Sequence, residues 1–546
     1  MSATLYRNGA VHAPSDPFAE AILVADGTVA WIGSDDTAAG LADRADEVVD
    51  LDGALVAPAF VDAHVHALET GFALESIDLS PAGGVHSLAD ALQLVARAAA
   101  VRPAAARDEP LLGFGWDETR WPEGRGPSAA ELDAAAGGAP VYLARADVHS
   151  AAVSTALAAR AGLEGRIGWS GDGLVTLDAH HAARDLARDV APARRTALYR
   201  AALAHAAARG VVAVHEMSAP SVDTREGLLE LLTTTADDDS ALPLVVGYRA
   251  EACVTVDDAR NLLAALPGLT GIGGDLNVDG SLGSRTAALR SPYADRPGES
   301  GVLMLTAEQV ANHVAAVTRA GVHAAFHVIG DRGMDEVLLG VRAAAEVEGL
   351  AAVAGAGHRL EHAELVDAPA LAAFVLLGLR VSAQPAFDAA WGGPHGMYAA
   401  RLGAGRAAAM NPLADLAAAG VPLAFGSDSP VTPVDPWGGV RAALQHTAPD
   451  QRISARAAFR AATRGGWRLA GLDGSGAGEL RVGAPAHLAV WRSEHLTVQP
   501  GRGQLTAWSA EARAGQPLLP ELSADVPPPV CVRTVRAGRT LYDALA

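Results

Sequence analysis

"LVAPAFVDAHVHALET", residues 55–70, is apolar until it reaches His64 and His66. In a strand, residues i and i+2 share a face and lie about 7 Å apart, so the two imidazoles leave the end of one strand side by side. Two imidazoles so placed can converge on one ion at about 2.0–2.1 Å each. Taken alone, the pair reads more readily as two satisfied core or surface histidines than as metal ligands. The rest of the chain decides between these readings.

Seven further short apolar runs follow the first, "FVDAHVH" (60–66): "GVVAVHEM" (210–217), "PLVVGYRAE" (243–251), "GGDLNVDG" (273–280), "GVHAAFHVIGD" (321–331), "GHRLEHAE" (357–364), "LRVSAQP" (379–385) and "PLAFGSDSP" (422–430). Helical stretches rich in Ala, Leu and Arg separate them. Strands alternating with helical patterns imply βα units and a parallel sheet, and eight of them imply a closed (β/α)8 barrel of the TIM type, an α/β fold. Residues 67–209, between the first run and the second, read as an insertion after strand 1 with strands and loops of its own. Both chain ends are short-stranded and punctuated by glycine. They predict a small β-sandwich domain formed by residues 1–57 and 475–546, flanking a barrel over 58–474.

The 546 residues carry 42 basic against 63 acidic side chains, a net charge of −21. No basic stripe is available to neutralise phosphates, which argues against nucleic acid as a partner. The start lacks the basic and apolar regions of a signal peptide, and no run of about 18 apolar residues offers a membrane span. The expectation is a cytoplasmic protein acting on a small molecule, with a homodimer through the terminal β-domain left open. Cys253 and Cys531 form no CxxC pair, so a disulfide framework or thiolate zinc site is not expected. The chain contains no lysine. A Schiff base, a lysine general base and a carbamylated lysine are therefore excluded outright.

The polar residues fall where barrel chemistry sits. His64 and His66 end the first run, His215 and Glu216 the second; Asp275 and Asp279 mark the fourth; His327, His362 and Asp428 end the fifth, sixth and eighth. Barrel enzymes place catalytic groups at the C-terminal ends of strands, facing one mouth, and a shared metal ion explains these residues together. Imidazoles plus a carboxylate, without thiolate, suit zinc or another divalent first-row metal, and an open position leaves room for water. Such a water loses a proton near neutrality, and Asp428 can take that proton and hand it to a leaving group. From the insertion, Trp116, Asp117, Trp121 and His149 are candidate pocket lining, as are Gln384 and Trp391; ordinary packing accounts for each of them equally well.

These motifs, in this order, resemble the amidohydrolase superfamily, and within it the amidohydrolase family 3 branch that includes N-substituted formamide deformylases. The resemblance rests on "FVDAHVH", "VDGSLGSRTAAL" (278–289), "HVIGDRG" (327–333), "RLEHAE" (359–364), "GSDSPV" (426–431) and "RVGAPAHLAVW" (481–491). It implies that His64, His66, His327 and His362 are metal ligands. It implies that Asp428 is ligand and general base, with His362 also at the reacting centre, and that an amide-type carbonyl is attacked. Arg285 would bind an anionic or carbonyl part of the substrate, or pair with a neighbouring carboxylate.

One departure stands out. Many two-metal relatives carry a bridging carbamylated lysine four residues before the motif's aspartate; here Asp275 occupies that place relative to Asp279. Three arrangements are open: one metal ion, with His362 orienting substrate or water; two ions, with Asp275 or Glu216 as bridge; or a centre that has lost activity. The leading function is hydrolysis of an amide or N-formyl C–N bond. The alternatives are a mononuclear deaminase-like hydrolase of a ring or amidine carbon, for which Asp331 is the candidate acid, and a catalytically impaired metal-binding relative.

Overall fold

The computed structural model describes residues 3–103, 108–237, 240–498 and 516–545. Its centre is a sheet of eight strands, all paired in parallel: β1 (Phe60–Val65), β2 (Val211–Ser218), β3 (Leu244–Arg249), β4 (Gly271–Ile272), β5 (His323–Val328), β6 (Arg359–His362), β7 (Arg380–Ala383) and β8 (Leu423–Phe425). Each strand neighbours the next in sequence. The first and last meet through a parallel bridge between Val65 and Ser429, where the Asp428 N–H donates to the His64 carbonyl at 2.8 Å. The helices between strands carry strong start signals. Thr255 with Asp258 and Thr306 with Gln309 form capping boxes ahead of Val256–Ala265 and Ala307–Ala320.

The expected fourth strand is displaced. Residues 273–280 are irregular, and only Gly271–Ile272 pair as strand. The cause is local: Gly273 and Gly274 sit at φ +125° and +88°, which a strand cannot continue through. A Cβ on Gly273 would lie 1.9 Å from the Ala325 carbonyl oxygen, so the chain passes β5 closer than any side chain permits. This close approach carries Asp275 into the barrel mouth.

At the opposite end of β1, Phe60 stands edge-on to Trp437, Phe459 and Trp491, with ring centroids 5.0, 5.5 and 5.6 Å away. Trp491 belongs to a five-stranded sheet that joins strands before the barrel (Ala10–Val11, Leu55–Pro58) to strands after it (Leu488–Arg492, Val530–Arg536, Arg539–Asp543). A four-stranded sheet from residues 3–50 shares one apolar cluster with it, including Tyr6, Ile22, Val56, Leu488 and Val532. The half-buried His487 stacks on Trp467 with ring centroids 5.0 Å apart. Residues 67–209 contain a separate five-stranded sheet with apolar clusters of its own.

Candidate metal centre

Asp62, His64 and His66 alternate with Val61, Ala63 and Val65 along β1, which sends both histidines toward the barrel axis. His327 arrives the same way from β5. His362 and Asp428 do not. In β6, Leu360 packs in the outer core, and strand alternation would send His362 after it. Instead His362 takes φ +68° and Asp428, just past β8, takes φ +54°. Non-glycine residues rarely adopt this left-handed backbone, and here it turns both side chains back into the mouth.

The side chains meet at one focus. Asp275 places Oδ2 at 3.1 Å from His66 Nε2, and Oδ1 at 3.5 Å from His64 Nε2 and 3.6 Å from His327 Nδ1. Asp428 Oδ1 lies 3.4 Å from His64 Nε2 and 3.3 Å from His66 Nε2. The His327 and His362 rings are 4.4 Å apart. Ligands held about 2.0–2.1 Å from one tetrahedral ion stand roughly 3.3 Å from each other, and these separations bracket that value. All but the 3.1 Å contact of Asp275 with His66 are long for direct hydrogen bonds. Indeed His64 Nε2, His362 Nε2 and Asp275 Oδ1 are buried without any hydrogen-bond partner. Three sets could each hold an ion, with donor atoms mutually within 4.8 Å: His64, His66 and Asp275; Asp275, His327 and His362; and His64, His362 and Asp428.

The surroundings fix which nitrogen faces the focus. His64 Nδ1 donates to Glu361 Oε2 at 2.9 Å, and His362 Nδ1 donates to Gln384 Oε1 at 2.8 Å, leaving each Nε2 lone pair turned inward. Glu361 is held in turn by the fully buried Arg359, which also reaches His215 Nδ1 and the Ala63 carbonyl, each at 2.8 Å. The field at the focus favours a cation. Burial pulls the His64 imidazole down, but Asp428, Asp275 and Glu361 outweigh it and push it up to about 10. His362 moves the other way, well below its ordinary value, through burial and the nearby His327 and His64. The imidazoles cannot all carry a proton here. One or two metal ions satisfy the orphaned atoms and the field together, and the all-N/O donor set suits a divalent first-row ion.

Other residues singled out from sequence occupy different places. Glu216 is buried beneath His66 and accepts from the Ala67 N–H at 2.7 Å; it belongs to none of the three ligand sets. Asp279 accepts three backbone N–H groups, from Ala288, Ile329 and Gly330, and so ties the loop after β5 to residues 278–289. Trp116 lies in the insertion core with its indole N–H on the Leu143 carbonyl. Asp117 pairs with Arg145 within the same segment and accepts the Trp391 indole N–H at 3.2 Å. Arg285 pairs with Asp295 at 2.7 Å, the structural reading of that residue. Gln384 orients His362 rather than lining an open pocket. Asp331 accepts the backbone N–H groups of Arg290 and Arg332, a capping role, and belongs to none of the three ligand sets. His149 does lie at the site, its ring 5.4 Å from His327, in the wall of a cavity of about 280 Å³ that His66 and Asp275 also line.

Sequence reasoning missed Glu361 and Arg359. The signal was present in "RLEH": two opposite charges two residues apart on one face of a strand whose neighbours are apolar.

Several known proteins resemble this chain over most of its length. The family model described as the amidohydrolase family matches residues 47–542. The N-substituted formamide deformylase of Arthrobacter pascens is 24% identical, over 86% of this chain and 90% of that protein. Protein LONG AFTER FAR-RED 3 of Arabidopsis thaliana is 27% identical, over 84% and 81%. Among solved structures, an uncharacterized metal-dependent hydrolase from Pyrococcus furiosus superposes with a TM-score of 0.67 at 28% identity, covering 89% of this chain and 98% of that one.

Proposed function

The chain belongs to the amidohydrolase family, and from that premise we propose that it hydrolyses a C–N bond of amide or N-formyl type in a small molecule. We read His64, His66, His327, His362, Asp275 and Asp428 as its metal ligands and Asp275 as the bridge between two ions, zinc being the ion this donor set suits first. The observation that carries the reading is the double engagement of Asp275: one oxygen turned to His66, the other to His64 and His327, with no hydrogen bond satisfying the second. An aspartate is much shorter than a carbamylated lysine; the Gly273–Gly274 turn makes up the difference by bringing the backbone inward. The deformylase relative supports the C–N bond and the N-formyl class.

Divalent ions bound here would supply Lewis acidity, lowering the pKa of a water and polarising the carbonyl. The protein residues then divide the remaining work. Asp428 Oδ1, within 3.4 Å of both β1 histidines, is placed to accept the proton of the attacking water and return it to the departing nitrogen. Glu361 and Gln384 hold their histidines in one tautomer and one orientation. His149, which burial and His327 together bring down to about 4, presents a neutral imidazole to the cavity and can hydrogen-bond a substrate oxygen.

Metal content per chain, after purification without chelator and with zinc supplied, tests the centre. About two ions are expected, falling to about one in Asp275→Ala; a single ion in both proteins would reject the bridge. Compared with wild type at matched metal content, Asp428→Asn should lose about a thousandfold in kcat/KM on formamides, because general acid–base catalysis contributes roughly that much. Turnover retained within a few-fold would reject the proton role.

A further inference from the structure

Arg184 is a buried cation with no carboxylate in close contact; Asp185, the next residue on its helix, acts on it only through its field. It lies on the helix Leu177–Ala187 of the insertion, on the inward face with His180 and Ala183, and is 7% exposed. Its Nε has no hydrogen-bond partner, and among the described residues no carboxylate stands within ion-pairing distance of it. The other arginines of this region are accounted for: Arg166 pairs with Asp178 at 3.1 Å, Arg188 pairs with Glu69, and Arg195 donates to Thr224 Oγ1 at 2.9 Å. A desolvated guanidinium left unpaired is costly, and proteins retain one mainly where something else pairs with it.

What Arg184 faces is space. It lines the 280 Å³ cavity whose other wall carries His66 and Asp275, and it also lines a neighbouring cavity of about 660 Å³. The two cavities share Glu69, His181, Arg184 and the turn Pro220–Val222. The acidic residues of the outer cavity, Glu69, Asp178, Asp185, Asp189 and Asp223, form no close ion pair with Arg184, and Glu69 is taken by Arg188. Asp178 is held by Arg166, and Asp223 by Tyr199 and the Thr224 N–H. A molecule with its scissile bond at the metal centre that extends into the inner cavity meets this cation in the cavity wall.

We infer that Arg184 is a substrate-binding residue and that the substrate carries an anionic group, carboxylate or phosphate, on the part remote from the scissile bond. The guanidinium fork matches either oxyanion bidentately, and pairing inside a closed cavity strengthens the interaction. This rests on His66 and Asp275 belonging to the reaction centre, and the test separates the two claims.

N-Formyl-ω-aminoalkanoates of increasing chain length are compared with their uncharged primary amides and with the matching N-formyl-aminoalkyl phosphates, on metal-loaded wild type and Arg184→Met. Turnover and the shift in melting temperature on adding each compound are both read. At least one anionic length should be preferred over its amide by about ten- to a hundredfold in kcat/KM, and Arg184→Met should erase that ratio. Preference for phosphate over carboxylate at the same length would identify which oxyanion is bound. The unliganded variant should melt at or above the wild-type temperature, because a buried charge without partner has been removed. Equal turnover of charged and neutral compounds, a preference that survives in Arg184→Met, or a lower melting temperature in the variant would overturn the inference. If no compound is hydrolysed by metal-loaded protein, the C–N reading fails. The thermal shift then still decides Arg184: stabilisation by the anions that vanishes in Arg184→Met keeps the inference, and its absence in wild type overturns it.

Discussion

A histidine becomes a ligand through what its other nitrogen does. His64 is aimed by Glu361, and Glu361 is aimed by Arg359, so the first ligand of the candidate centre hangs from a chain of fully buried charges. Burial pushes the Glu361 carboxyl up, but Arg359 and His64 outweigh it and hold it below its ordinary value. Glu361→Gln removes the acceptor charge while keeping the volume. Two losses are expected. Metal affinity, measured by chelator competition, should fall about ten- to a hundredfold, the usual effect of losing an outer-shell partner. Unfolding free energy in urea should fall by about 3–5 kcal/mol, because Arg359 is left buried without its carboxylate. Affinity unchanged alongside lost stability would mean that Glu361 serves only Arg359. This partnership lay in four letters of sequence, but the pairing of Glu361 with a residue 297 positions away did not. Strand alternation tells which face a side chain takes and is silent on what meets it across the barrel. His362 and Asp428 were legible as types and positions. Their orientation was not, since it depends on positive φ values, which histidine and aspartate adopt more often than other side chains but still only rarely.

Short apolar runs announced the eight strands because parallel barrel strands are buried on both faces, and their apolar spans are interrupted only where chemistry needs polar groups. β4 was the exception, and its shortness is informative. The glycines that end it are required twice over, by positive φ and by the Ala325 carbonyl against the missing Cβ of Gly273. Gly273→Ala therefore cannot be accommodated without moving residues 273–275 away from β5. The expected result is destabilisation of about 1–3 kcal/mol, with loss of the ion that depends on Asp275. Circular dichroism and metal content on the same sample check it. A folded variant with full metal content would show that Asp275 reaches the focus without the close approach of the backbone. Residues 67–209 were legible as a long interval with strand-like pieces, and they carry a five-stranded sheet of their own. The roles of the aromatic residues were not: Trp116 and Trp121 fill the core of the insertion, because large rings in so long a segment bury one another before they line a pocket.

At the scale of the molecule, layers are stapled by neutral histidines. His313, on the helix Ala307–Ala320, accepts the Cys253 N–H and bonds the Ile272 carbonyl; His358 accepts the Ala324 N–H through Nδ1 and meets Thr318 through Nε2. Each reaches from a helix or strand end into the neighbouring layer. Each must stay neutral, because a protonated Nδ1 would face an N–H donor. Burial accordingly brings His313 down to about 4, and burial with the charges of His323 and His313 brings His358 down to about 3. The sign follows from proton counting. Between these values and the unfolded value near 6.5 the unfolded chain holds protons that the folded one refuses, so stability is complete above pH 6.5 and is lost as pH falls toward 3. Buried acids run the other way: Glu216 and Glu364 are pushed up to about 7 by burial, so their contribution is lost as pH rises through 7. Total stability against pH therefore mixes opposing slopes, and a single substitution is needed to isolate one. His358→Asn should unfold more readily than wild type at pH 7.5, and the gap between them should narrow on acidification by up to about 1.4 kcal/mol per pH unit. Urea unfolding of both proteins at several pH values between 7.5 and 4.5 measures that gap directly. A gap independent of pH would mean that His358 contributes packing alone, and that acid sensitivity of the barrel arises elsewhere.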